Sequence, residues 1–229
     1  MMTYQRRQNR ASRPSHVVLM LSVVLILGVC GFSVGCGSED VVDTTSPADT
    51  AEVKSYTDPI YGFSFDYPAD WKLDEDSGAE IEGGINAAKG VSVFDPQGAT
   101  NGRYFLNVFQ VSVYELAMTI DDSVLPDVKP QLESAIAGVA SQDESWETLE
   151  AMSAAEAGGL NGFKTTVTHA LDGEMVKSTL YFLFDGSIEY ELMLQAGVED
   201  WETAQADLGA VLASFRPGVS TDATGTTTR

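Results

Sequence analysis

The sequence is poor in cysteine, histidine and basic residues. Two cysteines, Cys30 and Cys36, and two histidines, His16 and His169, are spread over 229 residues. In a form cut just before Cys36, only Cys36 and His169 remain. One thiol excludes an intramolecular disulfide, even in an oxidising compartment. One thiol and one imidazole exclude a zinc set built from cysteine and histidine. The fold must then be held by its core alone. Thirteen Lys and Arg stand against thirty-four Asp and Glu, a formal charge of −21. Arg6, Arg7, Arg10 and Arg13 precede residue 36 and no acidic residue does, so the remainder holds nine basic against thirty-four acidic residues, or −25. Such a surface excludes nucleic acid as a partner, because phosphate binding needs clustered Lys and Arg. It repels anionic lipid headgroups too, and it reads as a solvated, soluble surface.

What is present begins with an export pattern. The four arginines form a positive flank, and an apolar run follows from Val17 through Val29. Ser33-Val34-Gly35-Cys36 then offers a cut between Gly35 and Cys36. Positive flank, apolar run and small residues before a cut make residues 1–35 a signal peptide. A small residue before cysteine is what lipoprotein processing requires, since the thiol must reach a diacylglyceryl donor at the membrane surface. Cys36 is therefore the expected lipidated residue. Ser33 stands where bacterial lipoboxes usually carry Leu, and Cys30 is the rival, preceded by the bulkier Val29. The alternative is an uncleaved anchor, since Val17 to Gly35 is long enough to span a bilayer with the arginines inside. Both readings place the rest of the chain outside the cytoplasm, held at the cell membrane. Tyr4-Gln5-Arg6-Arg7 hints at twin-arginine export, but Gln8 and Asn9 are polar where that signal prefers apolar residues.

Residues 36–55 are polar, acidic and aperiodic, the composition of a flexible tether. Residues 218–229 are mostly Thr, Ser, Gly and Asp and read as a disordered tail. Residues 56–217 between them amount to one domain. Tyr61, Phe63, Phe65 and Tyr67 alternate with smaller or polar residues, which predicts a strand stopped by Pro68, with Trp71 in the following loop. Val91–Phe94 predicts a short strand and Tyr104–Tyr114 a longer, central one. Phe163–Leu171, Met175–Phe184 and Ile188–Gln195 predict three antiparallel strands joined by turns at Asp172-Gly173 and Asp185-Gly186. In the last of them, Tyr190, Leu192 and Leu194 face one side and Glu189 and Glu191 the other. Val128, Leu132, Ile136 and Val139 recur at helical spacing, and Pro126 and Pro130 are tolerable if they lie before or within the first turn. Trp201, Ala204, Leu208, Val211, Leu212 and Phe215 form the stripe of a second helix over 199–215, with Glu199 and Asp200 favourably placed at its dipole. Helices set apart from an antiparallel sheet make the class α+β.

The opening Tyr61-Gly62-Phe63-Ser64-Phe65-Asp66-Tyr67-Pro68, followed by Trp71, resembles the start of the PsbP-like superfamily. Gly159-Leu160-Asn161-Gly162-Phe163, Tyr181–Leu194 and Ala213-Ser214-Phe215-Arg216-Pro217 resemble its later turn, final strand pair and closing helix, in that order. The resemblance covers residues 56–217 and implies an antiparallel sheet with helices packed on its faces. It reaches photosystem II extrinsic subunits, a small Ran-binding protein and bacterial lipoproteins of the LpqN type, and the export signal points to that last branch. Fold alone does not choose a function among them.

Chemistry-bearing sets are sparse. His169 shares strand parity with Phe163 and Val167, and no orienting partner for a general base shows in the sequence. Gly31-Phe32-Ser33-Val34-Gly35 matches a nucleophile elbow but lies inside the signal. Asp74, Glu75 and Asp76, and Asp121 with Asp122, offer hard oxygen ligands without EF-hand spacing. Photosystem relatives are associated with calcium, but no ligand role carries to a residue here. The aromatic row from Tyr61 to Trp71 reads as core before groove. No cofactor, catalytic residue or metal ligand is assigned. The expectation is a tethered binding or scaffold module meeting a protein or envelope component. The alternatives are a small-ligand carrier, a carboxylate-based hydrolase at the envelope, or a photosystem-type extrinsic subunit with calcium.

Overall fold

The computed structural model describes residues 52–75, 77 and 87–218. The signal, Gly35 and Cys36 lie outside the described residues, as do nearly all of the tether and the tail. Ten elements follow in order: β1 (Val53–Thr57), β2 (Ser64–Pro68), β3 (Lys72–Asp74), β4 (Lys89–Phe94), β5 (Val108–Ile120), α1 (Leu125–Ala140), β6 (Glu147–Ala157), β7 (Leu160–Leu171), β8 (Glu174–Gly197) and α2 (Trp201–Ser214). β1 and β2 form a small antiparallel sheet, and the large sheet has the order β3-β4-β5-β8-β7-β6. All its neighbours are antiparallel.

β8 supplies two arms to that order. Its first arm, Glu174–Leu183, pairs with β7, and its second, Gly186–Gln195, pairs with β5. The Val198 N–H donates to the Met175 carbonyl at 3.0 Å, and Ser178 Oγ donates to Gln195 Oε1 at 3.3 Å. These pairs centre the fold-back on Gly186-Ser187, one residue beyond the expected Asp185-Gly186. Gly186, at φ 63°, suits the first central position of a type II′ turn. The β7–β8 turn falls at Asp172-Gly173 as expected, with φ of 50° and 96°.

Each face of the large sheet has its own apolar cluster. On one face Val91, Val93, Phe109, Val111, Leu192 and Leu194 meet Trp201, Leu208 and Val211 of α2 and the buried Phe63 and Phe65 of the β1–β2 unit. On the other face Phe163, Leu180, Phe182 and Met193 meet Val128, Leu132 and Ile136 of α1. Helices thus cover both faces of an antiparallel α+β sheet. The aromatic row is core: Phe65 sits 5.4 Å from Phe109 edge-on, and Trp71 is buried. Asp58 is buried beneath it and accepts the N–H groups of Ile60 and Tyr61 and the Tyr56 hydroxyl. Gly162 lets β7 close on β8, since a Cβ there would lie 1.9 Å from the Phe182 carbonyl oxygen.

Several expectations shift. β1 begins at Val53, inside the stretch read as tether, because Val53–Thr57 pairs with β2 along its length. β2 starts at Ser64, since Tyr61 lies in the turn ordered by Asp58. The long strand runs over Val108–Ile120, not Tyr104–Tyr114. Asn101 Oδ1 accepts the N–H groups of Arg103 and Tyr104, which folds that approach into a loop. Pro126 lies in the first turn of α1, but Pro130 is inside the helix, where it leaves a first-turn carbonyl without its usual N–H.

Candidate functional site

The alternation along β8 puts Glu189 and Glu191 on the face that also carries Met193 and α1. That face is covered: the two residues are 3% and 5% exposed. The sequence reading of a solvated acidic surface fails for this pair. Across the β5–β8 ladder, Ser112 lies opposite Glu191 and Tyr114 opposite Glu189. Gln110, two residues before Ser112, donates to Ser112 Oγ at 3.0 Å. Ser92 on β4 pairs with Gln110, and Ser178 reaches Gln195 from the first arm of β8. Ser92, Gln110, Ser112, Tyr114, Ser178 and Gln195 are all buried, so the two carboxyl groups sit within a polar layer inside an apolar domain.

The electrostatics follow from that placement. Burial disfavours the charged form and pushes the Glu189 carboxyl up to about 8. Burial raises Glu191 well above the ordinary range, and the neighbouring Glu189 adds to it. Tyr114 is raised by burial and then by both glutamates. The layer therefore stores protons on carboxyl groups at neutral pH, which exposed Asp and Glu do not do. Strongly perturbed acids of this kind concentrate at functional sites, although buried structural networks show them too. Strand parity placed the glutamates on one face. Their burial was readable only from Gln110, Ser112 and Tyr114, the polar partners with the same parity on β5.

His169 is 1% exposed. Its ring stacks on Trp146 at 5.6 Å between centroids, and its Nδ1 lies 3.4 Å from the Ala170 carbonyl. Its Nε2 has no partner. Burial lowers its pKa, against raising contributions from that carbonyl and from Asp143. Asp143 itself binds the Ser145 hydroxyl at 2.6 Å, and Ser145 accepts the Ala170 N–H at 2.8 Å, so these side chains lock a loop to β7. Asp121 serves the start of α1 in the same way, accepting from Ser123 and Val124. Asp76 lies outside the described residues. Among the described residues, no group of three or more His, Cys, Asp or Glu is placed to hold a metal ion. No helix among them is long and apolar enough to cross a membrane.

Open cavities among the described residues include the following three. Two flank α1: one of about 370 Å³ between Leu125, Lys129 and Phe163, and one of about 500 Å³ between Ile136, Ala140 and Met152. The third, about 280 Å³, lies beside α2 over β7 and the first arm of β8. None of these three is lined by Glu189, Glu191 or His169.

No protein-family model matches the sequence, and no curated protein does. Solved structures do. The solution structure of cyanobacterial PsbP (CyanoP) from Synechocystis sp. PCC 6803 matches at 15% identity, over 77% of this chain and 98% of that one, with a TM-score of 0.49. The crystal structure of LpqN, involved in cell envelope biogenesis of Mycobacterium tuberculosis, matches at 12% identity over 72% and 91%, with a TM-score of 0.46. A protein from Bacteroides thetaiotaomicron matches at 18% identity over 72% of this chain and 48% of its own, with a TM-score of 0.41.

Proposed function

We propose that this chain is an extracytoplasmic, lipid-anchored module that works by binding, without bond-breaking chemistry. One observation carries the reading. Glu189, its carboxyl pushed up to about 8, and His169, the histidine of the described residues, are sealed in the interior, at 3% and 1% exposure. A general acid or base must come within hydrogen-bonding reach of a reacting atom, and these do not. Anchoring through Cys36 is supported by the arginine flank, the apolar run and Gly35-Cys36. The membrane then holds the domain through the tether, and a protein or another envelope component is the partner.

Two experiments test the two halves. Expressed with its signal, the protein takes up labelled lipid and loses it on Cys36→Ser; unchanged labelling in that variant sinks the anchor. The purified protein shows no turnover of ester, phosphate, glycoside or peptide substrates. Robust turnover abolished by Glu189→Gln, Glu191→Gln or His169→Ala would overturn the binding reading.

A further inference from the structure

We infer that the groove beside α2 is a binding site for a small, extended ligand with an acidic group at each end. The inference rests on the reading of the domain as a binding module. The groove exists because α2 does not extend over the outer part of its sheet face. Thr166 on β7 and Thr179 on the first arm of β8 form its floor, with their hydroxyl oxygens 3.2 Å apart. Trp201 and Leu212 of α2 form one wall.

Lys164 and Lys177 supply the charge. Both line the groove in a domain where basic residues are scarce. Each ammonium group sits over a ring, Lys177 at 4.6 Å from Trp201 and Lys164 at 6.0 Å from Tyr181. Among the described residues, neither has an ion-pair or hydrogen-bond partner in the protein. Of the other described basic residues, Lys54, Lys89, Arg103, Lys129 and Arg216 each bind a protein oxygen, and Lys72 does not. Glu150 and Glu202 stand at the exposed rim, and neither comes within 4.0 Å of a lysine nitrogen. Ring faces orient the two cations without neutralising them. Lys164 lies opposite Tyr181 and Lys177 opposite Thr168, so the lysines are four residues apart along neighbouring strands, roughly 14 Å of strand rise. With each ammonium held over its own ring, that spacing favours a ligand charged at both ends over a single anion. A diacid meets one lysine at each end and the threonine hydroxyls between them.

Gly209 keeps the helix wall of the groove low. It lies inside α2 on the groove wall, where glycine weakens a helix. A Cβ there would meet nothing within 4 Å. Gly138 in α1 has the same open space, and at Gly209 that space adjoins the groove and leaves room for a ligand beside the helix.

The test uses the chain from residue 36 carrying Cys36→Ser, followed by amide NMR shifts. The probes are suberate, its diphosphonate analogue octane-1,8-diphosphonate, and octanoate, which keeps the chain length with one acid. Suberate or the diphosphonate is expected to move the Thr166, Thr179 and Lys177 amides saturably, and which one binds tighter identifies the acid. Octanoate is expected to bind at least about tenfold more weakly. Lys164→Gln and Lys177→Gln are each expected to weaken the diacid about tenfold. Gly209→Leu is expected to block it while raising the melting temperature, which separates lost binding from lost folding. Equal binding of octanoate, shifts elsewhere on the domain, or unchanged affinity in Gly209→Leu would overturn the assignment. So would no saturable binding of either diacid. Those outcomes would leave the binding-module reading in place, because it stands on the turnover screen.

Discussion

Glu189 gives the sharpest stability prediction. Its carboxyl titrates near 8 in the folded protein and near its ordinary 4.5 in the unfolded chain. The folded state therefore binds more protons than the unfolded state throughout that window. Stability is full below about 4.5, falls as pH rises, and stops falling above about 8. Each pH unit within the window is worth about 1.4 kcal/mol. At pH 7 this amounts to about 3 kcal/mol, a large part of the stability of an ordinary domain. Glu189→Gln keeps the shape of the protonated acid and never charges. Its advantage over the native protein is near zero at pH 4.5 and about 3 kcal/mol at pH 7. For a chain of this size that raises the melting temperature by roughly 6–12 °C. Urea unfolding of both proteins at pH 4.5, 6, 7 and 8 measures the difference directly. A gain that does not grow with pH, or a variant no more stable at pH 7, would refute the account of a neutral acid buried at a cost. Glu191 faces the same interior, and its variant should behave in the same sense.

Other expectations are simpler to check. Gly162→Ala drives a methyl group into the Phe182 carbonyl and should cost about 3 kcal/mol, read as a lower urea midpoint. Asp58→Ala leaves the Ile60 and Tyr61 N–H groups and the Tyr56 hydroxyl without their acceptor, and should cost about 2–3 kcal/mol by the same assay. His169 should titrate below its ordinary 6.5 in an imidazole NMR experiment. Its contribution to stability is present above 6.5 and is lost as pH falls towards the folded value. A midpoint at or above 6.5 would contradict the burial argument.

Much of the fold was legible because its signals are local and repeated. The stripe from Trp201 to Phe215 became α2, and Asp172-Gly173 marked a hairpin. The short-range chemistry of Gly186 located the second hairpin to within one residue. β6 gave no such signal. Its residues from Glu147 to Glu150 are exposed, and only Met152 and Ala157 are buried, so no period of two emerges. β1 was absorbed into the acidic tether because Tyr56 is its one buried side chain. The candidate site was half legible. Alternation assigns Glu189 and Glu191 to a face, but it is silent on whether that face is covered. Coverage is a property of chain segments distant in sequence. Lys164, Lys177 and Gly209 were unreadable as a set for the same reason, since β7, β8 and α2 meet only in the folded domain.

The β1–β2 unit also sets how the domain bears load. Val53 pairs with Pro68 and Thr57 with Ser64, so the chain enters the domain at the open end of a two-stranded ribbon. A pull from the N-terminal side acts first on the hydrogen bond from the Ala69 N–H to the Glu52 carbonyl, then on the Val53–Pro68 rung and each next rung in turn. The ribbon opens like a zipper, one pair at a time, and does not shear all at once. The closing residues grip the opposite end, where the Arg216 and Ser64 backbones exchange hydrogen bonds at 2.8 Å. β1 can thus peel away while β2 stays clasped to the chain end and the large sheet keeps every strand. Tension from the N-terminal side would release a few residues of slack before it reached the interior that holds Glu189 and Glu191.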